Sequence, residues 1–156
     1  MIKVSIIGAT GYAGVELTRL LYSHPGVKLT NLVSKSYSGQ SLNAVYPNFN
    51  GVETHILKEV DLQQLIDDSD CIFTSLPHGA GDEIIPDLYK AGKVVIDLSG
   101  DYRYSNVETY EKWYNATHKY PELLKESVYG LPELHKERIK AARLVGNPGC
   151  YTTCSI

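Results

Sequence analysis

A glycine-rich segment joins the first apolar run to the first helical pattern of this 156-residue chain. The run Lys3–Ile7 has the composition of a buried strand, and apolar residues recur at helical spacing from Val15 to Leu21. Between them, a glycine stands at every third position of Gly8–Gly14. A strand that turns through glycines directly into a helix is typical of the first βαβ unit of a dinucleotide-binding domain. The segment therefore predicts a parallel α/β fold.

The alternation of strands and helices continues along the chain. Further strands are predicted at Lys28–Val33, Thr54–Leu57, Asp70–Leu76, Val94–Leu98 and Leu144–Val145. Helices are predicted at Asp61–Asp67, Gly81–Ala91 and Pro132–Ala142, a helix with a loop at Asn106–Tyr120, and an irregular loop at Tyr37–Asn50. Near-continuous apolar strands that alternate with helices predict a Rossmann-type, doubly wound fold, with a mostly parallel sheet and helices on both faces.

Composition and charge narrow the range of partners. Hydrophobic residues make up 43% of the chain and charged residues 21%, as in ordinary globular domains. The net charge of −3 argues against a nucleic-acid partner, which needs a basic face. The N-terminus lacks the pattern of a signal peptide, and the apolar runs are too short to span a bilayer. Three cysteines without a secretory signal fit free thiols in a reducing compartment, so we expect a cytoplasmic protein without a membrane partner.

The glycine loop is the predicted phosphate-binding site. Gly8 permits a tight turn, Gly11 lets the backbone approach a pyrophosphate, and Gly14 lets the helix pack closely. The N–H groups at the start of the helix and its positive dipole end attract the phosphates. The alternative is a glycine turn that only reverses the chain. The predicted cofactor contacts in this loop are Gly8, Thr10, Gly11, Tyr12, Ala13 and Gly14.

The end of the second strand indicates which cofactor binds. An acidic residue at this place holds the ribose of NAD, whereas this chain has Ser34, Lys35 and Ser36. A carboxylate would repel a 2′-phosphate, but hydroxyls together with a lysine can bind one. We therefore predict NADP as the cofactor. A solvated surface role is the alternative for Lys35.

Two further groups follow strands at the edge where open α/β sheets bind ligands. The run Leu76-Pro77-His78 comes after the third core strand and is predicted to contact the cofactor, unless His78 makes only local hydrogen bonds. Arg103 follows the fourth core strand and can hold a carboxylate or a phosphate in two-pronged fashion. The alternative for Arg103 is a structural ion pair with Asp101 or Glu108.

Cys150 is the predicted nucleophile. It follows the turn Asn147-Pro148-Gly149 and starts a helical pattern, and a helix N-terminus favours the thiolate that attacks acyl groups. The alternative is a small buried hydrophobic residue. Cys154, four residues on, is interpreted as packing, with a resolving thiol as its alternative. Cys71 is interpreted as part of the core, and no metal site is predicted.

These residues stand in blocks that resemble N-acetyl-γ-glutamyl-phosphate reductase, an enzyme family of arginine synthesis. The matching blocks, in the family's order, are GATGYAGVEL (8–17), LPHG (76–79), DLSGDYR (97–103), YGLPE (129–133) and NPGCYT (147–152). The last two are the more specific, because several semialdehyde dehydrogenases carry a similar glycine loop. Thr152 departs from the pattern, since the family commonly has proline at that position.

The resemblance implies an NADP-dependent reductase of an acyl phosphate. The thiolate of Cys150 would attack the γ-acyl phosphate and expel phosphate, and hydride from NADPH would reduce the thioester to the semialdehyde. Arg103 and Asn147 match positions at the family's substrate site, and Ser99 is predicted to bind substrate with them.

The family continues into a second domain that supplies a histidine acid/base, most of the substrate pocket and the subunit contacts. None of the five histidines in this chain matches that histidine. We therefore expect residues 1–148 to form the NADP-binding domain and residues 149–156 to begin a truncated catalytic domain. This chain alone is expected to bind NADP(H) but to turn over little or nothing. The full-length protein is expected to be a homo-oligomer with a small-molecule substrate.

Other functions stay open at this point. Aspartate-semialdehyde dehydrogenase shares the loop and the cysteine but differs in the pairing of YGLPE with NPGCY. A reductase of an N-modified α-aminoadipyl phosphate has similar motifs, and its substrate differs by about one methylene. A non-catalytic dinucleotide-binding or redox-sensing module, with Cys150 and Cys154 as responsive thiols, is a further alternative.

Overall fold

The first unit of the structure, Met1–Ser75, is built around the predicted glycine turn. The computed structural model describes residues 1–52 and 55–156 of the chain. The strands of this unit are β1 (Ile2–Ile7), β2 (Val27–Val33) and β3 (Cys71–Thr74), and its helices are α1 (Tyr12–Tyr22), α2 (Leu42–Val45) and α3 (Leu62–Asp68). β1 pairs in parallel with both β2 and β3, so the strand order is β2-β1-β3.

β1 is the central strand of this unit, and its last four residues, from Val4 to Ile7, are buried. Val4, Ile6 and Ile7 are among the core residues, as expected for a parallel strand covered on both faces. The polar Ser5 is also buried, and its Oγ lies 2.7 Å from Oγ of Ser69, so the hydroxyl is satisfied. The strand ends at Ile7, and the glycine turn follows directly at the carboxyl end of the strand.

The segment 37–50 differs from its prediction as an irregular loop. It contains α2 and a 3₁₀ turn at Pro47–Phe49. Leu42 and Phe49 are buried and pack in the core of the first unit. Apolar residues are too few here to show a period, so the pattern could not reveal these two anchors.

The elements between α2 and β3 follow their prediction in part. Thr54, at the start of one predicted strand, lies outside the described residues, and Ile56 forms an isolated antiparallel bridge with Ser41. Helix α3 begins after Asp61 as predicted, and the Asp61 carboxylate accepts a hydrogen bond from the backbone N–H of Gln64 at 2.9 Å. This cap satisfies one of the free N–H groups at the start of the helix.

The second unit, Leu76–Ile156, repeats the parallel pairing. Its strands are β4 (Val94–Asp97), β5 (Val128–Tyr129) and β6 (Leu144–Gly146). Its helices are α4 (Ile85–Lys90), α5 (Val107–Tyr114), α6 (Pro121–Glu126), α7 (Pro132–Ala141) and α8 (Cys150–Cys154). β6 pairs in parallel with β4 and with β5, which gives the order β4-β6-β5.

Two features of this unit depart from the sequence pattern. The helix predicted at Gly81–Ala91 is divided into a 3₁₀ turn at Ala80–Glu83 and α4, because Ile84 is not helical and Pro86 stands in the first turn after it. Helix α6 and the two-residue strand β5 were not predicted, since elements this short carry no periodic pattern.

The pairs β1–β2, β1–β3, β4–β6 and β5–β6 are all parallel, as the apolar strands predict. The carboxyl ends of β1 and β4 lead directly into the two loops that carry half of the predicted site residues. The domain boundary predicted after residue 148 stays a prediction. Among the described residues, the helices are all too short or too polar to cross a membrane.

Candidate active site

The glycine turn has the close packing that its spacing predicts. Gly8 has a positive φ of 83°, and a Cβ there would overlap the carbonyl oxygen of Ser75 at the end of β3. A Cβ at Gly14 would overlap the carbonyl oxygen of Gly8, so α1 starts in direct contact with the turn. Gly11 is different, because a Cβ there would meet only the Gly8 oxygen, at an ordinary 3.5 Å. Space is therefore open beside Gly11, where a ligand can approach the backbone.

The start of α1 is free to receive an anion. Gly11 is the N-cap residue and offers no side-chain cap, so the first N–H groups of the helix lack intrahelical acceptors. Tyr12 and Ala13 are exposed in this first turn. The N–H groups and the helix dipole favour a phosphate at this position. The residues present thus fit the pyrophosphate of a dinucleotide.

The predicted 2′-phosphate residues divide into one internal and two exposed positions. Ser34 is 3% exposed, and its Oγ lies 2.6 Å from Oγ1 of Thr10. Thr10 is held a second time, because Tyr46 donates its hydroxyl hydrogen to the Thr10 carbonyl at 2.7 Å. Lys35 and Ser36 are exposed. Ser34 therefore fixes the glycine turn, whereas Lys35 and Ser36 are the residues open to a phosphate.

Cys150 and Arg103 line one cavity of about 650 Å³ in the second unit. Cys150 is exposed and is the first residue of α8, which starts directly after Gly149. The cavity is also lined by the tyrosines Tyr104, Tyr114, Tyr129 and Tyr151. An exposed thiol, a guanidinium group and aromatic walls thus surround a space large enough for a small acyl substrate.

Arg103 is held by backbone carbonyls. Its Nε donates to the Asn147 carbonyl at 2.7 Å, and its Nη2 donates to the Leu98 carbonyl at 3.3 Å. Within residues 1–52 and 55–156, no carboxylate forms an ion pair with it, so the pairing with Asp101 or Glu108 is not observed. The positive charge and the remaining N–H groups are available to an anion in the cavity.

The buried carboxylate of Asp101 lies at the centre of a hydrogen-bond network. One oxygen accepts from the backbone N–H of Gly79 at 2.7 Å and from the Ser99 hydroxyl at 3.0 Å. The other accepts from the Tyr110 hydroxyl at 3.0 Å and lies 2.7 Å from Nδ1 of His78. The Asp101 side chain is 1% exposed, so these donors replace water around it. We call these five residues the Asp101 network.

The network accounts for two residues that the sequence assigned to ligands. Nε2 of His78 lies 3.0 Å from the Tyr110 hydroxyl, and its ring stacks on Tyr114 at 4.4 Å between centroids. These are the local hydrogen bonds named as the alternative for His78. The hydroxyl of Ser99 is buried and also lies 2.5 Å from Asp97, so it is engaged within the protein. Ligand contacts of His78 and Ser99 stay predictions.

Other predicted groups have clear positions. The amide of Asn147 donates to the Pro148 carbonyl at 3.1 Å, so its side chain supports the turn before Cys150. None of the five histidines is among the residues that line the Cys150 cavity in the described structure. Asp101 and Tyr110, which hold this hydrogen-bond network together, were not predicted as site residues. Asp101 could have been noticed as an acidic residue beside a glycine in the loop after a strand, whereas nothing in the sequence pointed to Tyr110.

The three thiols differ strongly in environment. Burial, with a smaller contribution from the charge of Asp70, raises the pKa of Cys71 to about 11. At pH 8 roughly one Cys71 in a thousand is then ionised.

We expect iodoacetamide at pH 8 to alkylate Cys150 and Cys154, which are exposed, and to leave Cys71 unmodified. Peptide mass spectrometry measures the sites; alkylation of Cys71 in the folded chain at the same rate would contradict the burial. A sample in urea, where all three react, is the control.

Comparison with known proteins gives three kinds of match. The family model for the semialdehyde dehydrogenase NAD-binding domain matches residues 3–142. An N-acetyl-gamma-glutamyl-phosphate reductase of Acetivibrio thermocellus is 53% identical over 156 residues, all of this chain and 45% of that protein. A reductase of the same name from Halothermothrix orenii is 51% identical over the same shares. The chain thus spans a little under half the length of the curated relatives it matches.

Solved structures share the fold. An aspartate semialdehyde dehydrogenase with NADP from Candida albicans superposes with a TM-score of 0.73 at 17% identity, over 98% of this chain and 44% of that one. Aspartate semialdehyde dehydrogenase II from Vibrio cholerae, complexed with ASA, superposes with a TM-score of 0.67 at 23% identity. The match covers 98% of this chain and 43% of that one. These likenesses confirm the predicted Rossmann-type α/β fold.

Proposed function

This chain belongs to the semialdehyde dehydrogenase NAD-binding domain family, and from that premise we propose that it supplies the cofactor-binding loop and the nucleophile of an NADP-dependent N-acetyl-γ-glutamyl-phosphate reductase. The observation that carries the proposal is the cavity that Cys150 shares with Arg103, which forms no ion pair with a carboxylate of the described residues. The names of the curated relatives at 53% and 51% identity support the choice of substrate.

The side chains of the cavity suit an acyl phosphate. Arg103, held by two backbone carbonyls, presents its free N–H groups to the phosphate and orients the acyl carbon toward Cys150. The thiolate of Cys150 forms a bond to that carbon, and the bond to the phosphate oxygen breaks, so phosphate leaves with the electron pair. The product on the enzyme is a thioester, which is open to reduction.

The cofactor is assigned to the glycine turn. The open space beside Gly11 and the uncapped start of α1 fit a pyrophosphate. When bound, NADPH supplies the hydride that turns the thioester into an aldehyde. The carbon–sulfur bond then breaks, which releases the aldehyde and returns Cys150 as the thiolate for the next cycle.

Lys35 is expected to select NADPH over NADH. It is exposed beside Ser36 at the end of β2, where the residues that follow the strand, Ser34 to Ser36, include no acidic side chain. Because a charge-assisted hydrogen bond is lost, Lys35→Ala is expected to weaken NADPH binding by roughly tenfold and NADH binding by less than about twofold. Fluorescence titration with both cofactors measures the ratio. Lys28→Ala removes the same charge from the other end of β2 and is the matched control. Tighter binding of NADH than NADPH by the unaltered chain would exclude the assignment.

The substrate is tested in the complete gene product that carries this chain. We expect phosphate-dependent reduction of NADP with N-acetylglutamate semialdehyde, and a kcat/KM at least about tenfold lower with aspartate semialdehyde, because the shorter substrate leaves the cavity partly empty. Absorbance of NADPH follows both reactions. A higher kcat/KM with aspartate semialdehyde would replace this proposal with the related dehydrogenase activity. A longer N-modified aminoadipate semialdehyde, assayed in parallel, tests the remaining substrate.

The cellular setting is also proposed. The three cysteines are free thiols in the structure, which fits a reducing cytoplasm. The net charge of −3 supports neither a nucleic-acid partner nor an anionic membrane surface. A homo-oligomeric complete protein is proposed from the family resemblance.

A further inference from the structure

The loop after β3 and the loop after β4 are joined by a single side chain. Gly79 N–H and the His78 ring, from the first loop, both bond to the carboxylate of Asp101, which belongs to the second. The donor distances are both 2.7 Å. The first loop carries the predicted cofactor contacts, and the second carries Arg103.

Asp101 also shapes its own loop. Its backbone N–H donates to the Ser99 hydroxyl at 3.1 Å, and that hydroxyl donates back to the carboxylate. Its backbone carbonyl accepts from Nε2 of His118 at 3.0 Å. Both the backbone and the side chain of Asp101 are therefore fixed, two residues before Arg103. The turn that aims the guanidinium group toward the cavity depends on these contacts.

Tyr110 braces the network from α5. Burial, followed by the charge of Asp101, raises the pKa of Tyr110, so its phenol stays protonated and donates to the carboxylate. The ring of Tyr110 packs edge-on to His118 at 4.8 Å between centroids. A helix residue thus holds the carboxylate in a position where both loops can reach it.

We propose that Asp101 is a positioning residue that holds the Leu76–Gly79 loop and the Ser99–Arg103 loop as one unit, and so sets the affinity for both the cofactor and the substrate phosphate. It touches neither ligand in this assignment. The inference rests on the proposed function, because that function assigns the two loops to NADPH and to the acyl phosphate.

The chemistry of an amide at this position predicts the effect of Asp101→Asn. An amide keeps one accepting oxygen and replaces the other with an NH₂ donor, so two of the four groups that now donate to the carboxylate must turn to accept or lose their bond. The Asp101 side chain is buried, and hydrogen bonds lost around it weaken the contact between the two loops. Both loops therefore shift, even though the side chain keeps its size.

The experiment measures two affinities in the complete gene product. NADPH binding is followed by fluorescence. Inorganic phosphate, the probe for Arg103, is followed by its slowing of Cys150 alkylation, read by mass spectrometry. Asp101→Asn is expected to raise both dissociation constants at least about fivefold. This is the lower end of the range over which a contact at one place typically changes ligand affinity at another. Arg103→Met is expected to weaken phosphate alone.

The variants separate the possible outcomes. A folded Asp101→Asn protein in which either affinity stays within about twofold of the original would overturn the proposal. If Asp101→Asn does not fold, the deciding variant is Tyr110→Phe, which removes one donor and keeps the ring. It is expected to raise the dissociation constants of both NADPH and phosphate about twofold or more. Tyr89→Phe removes a hydroxyl that donates to Glu126 at 3.4 Å, outside the Asp101 network, and should change neither affinity. If Arg103→Met leaves phosphate protection unchanged, the Arg103 assignment in the proposed function fails instead.

Discussion

Cys150→Ser is expected to lower kcat for the semialdehyde reaction of the complete gene product by roughly 10⁴-fold or more. A serine hydroxyl is not ionised at neutral pH and attacks an acyl carbon far less readily than a thiolate does. The thioester route would therefore close, while the glycine turn and its cofactor contacts are untouched. Steady-state kinetics and NADPH titration of the same preparation measure both effects.

The matched control is Cys154→Ser on the same short helix. In the described part of the chain, Cys154 is exposed and does not line the cavity, and its thiol donates to the Tyr151 carbonyl at 3.5 Å. Its loss is expected to change kcat by less than about twofold. If both variants lost activity equally, the helix rather than the Cys150 thiol would be responsible. Retained activity in Cys150→Ser would remove the nucleophile from the proposal and favour a redox or binding role.

The fold was predictable where local chemistry and packing agree. Val4 and Ile6 are apolar because the strand is buried, and the turn after them needs glycine at a positive φ, so both features are visible in the sequence. Strand β5 and the anchors Leu42 and Phe49 were not visible. Two residues of strand, or one apolar residue among polar ones, form no period, and only the tertiary contact gives them a structure.

The site was predictable as a set of loops but not as a set of contacts. Cys150 and Arg103 were singled out separately, and the structure brings them to one cavity. The sequence neighbours Asp101 and Arg103 suggested an ion pair, yet their side chains turn to different partners. Asp101 is paired instead with groups 9 and 22 positions away. Partners at that separation follow from the fold, and a single sequence does not reveal them.

Gly14→Ala is expected to destabilise the chain and Gly11→Ala is expected to spare its stability, although the two glycines lie in the same turn. A methyl group at Gly14 would overlap the Gly8 carbonyl oxygen, and backbone on both sides must move. The cost is about 2–4 kcal/mol, larger than the roughly 1 kcal/mol that alanine gains over glycine in a helix. Thermal unfolding followed by circular dichroism measures the loss.

Gly11→Ala should leave the stability of the chain nearly unchanged but weaken NADPH binding. It is therefore the sharper test of the cofactor site. Its φ of −73° and ψ of 164° suit alanine, and the nearest atom to a new methyl group is 3.5 Å away. Stability should therefore change by less than about 1 kcal/mol. The methyl group would stand in the space assigned to the pyrophosphate, so NADPH binding should weaken tenfold or more, about 1.4 kcal/mol. Unchanged NADPH affinity in Gly11→Ala would place the phosphates elsewhere, because the open space beside this glycine is the reason for assigning them there.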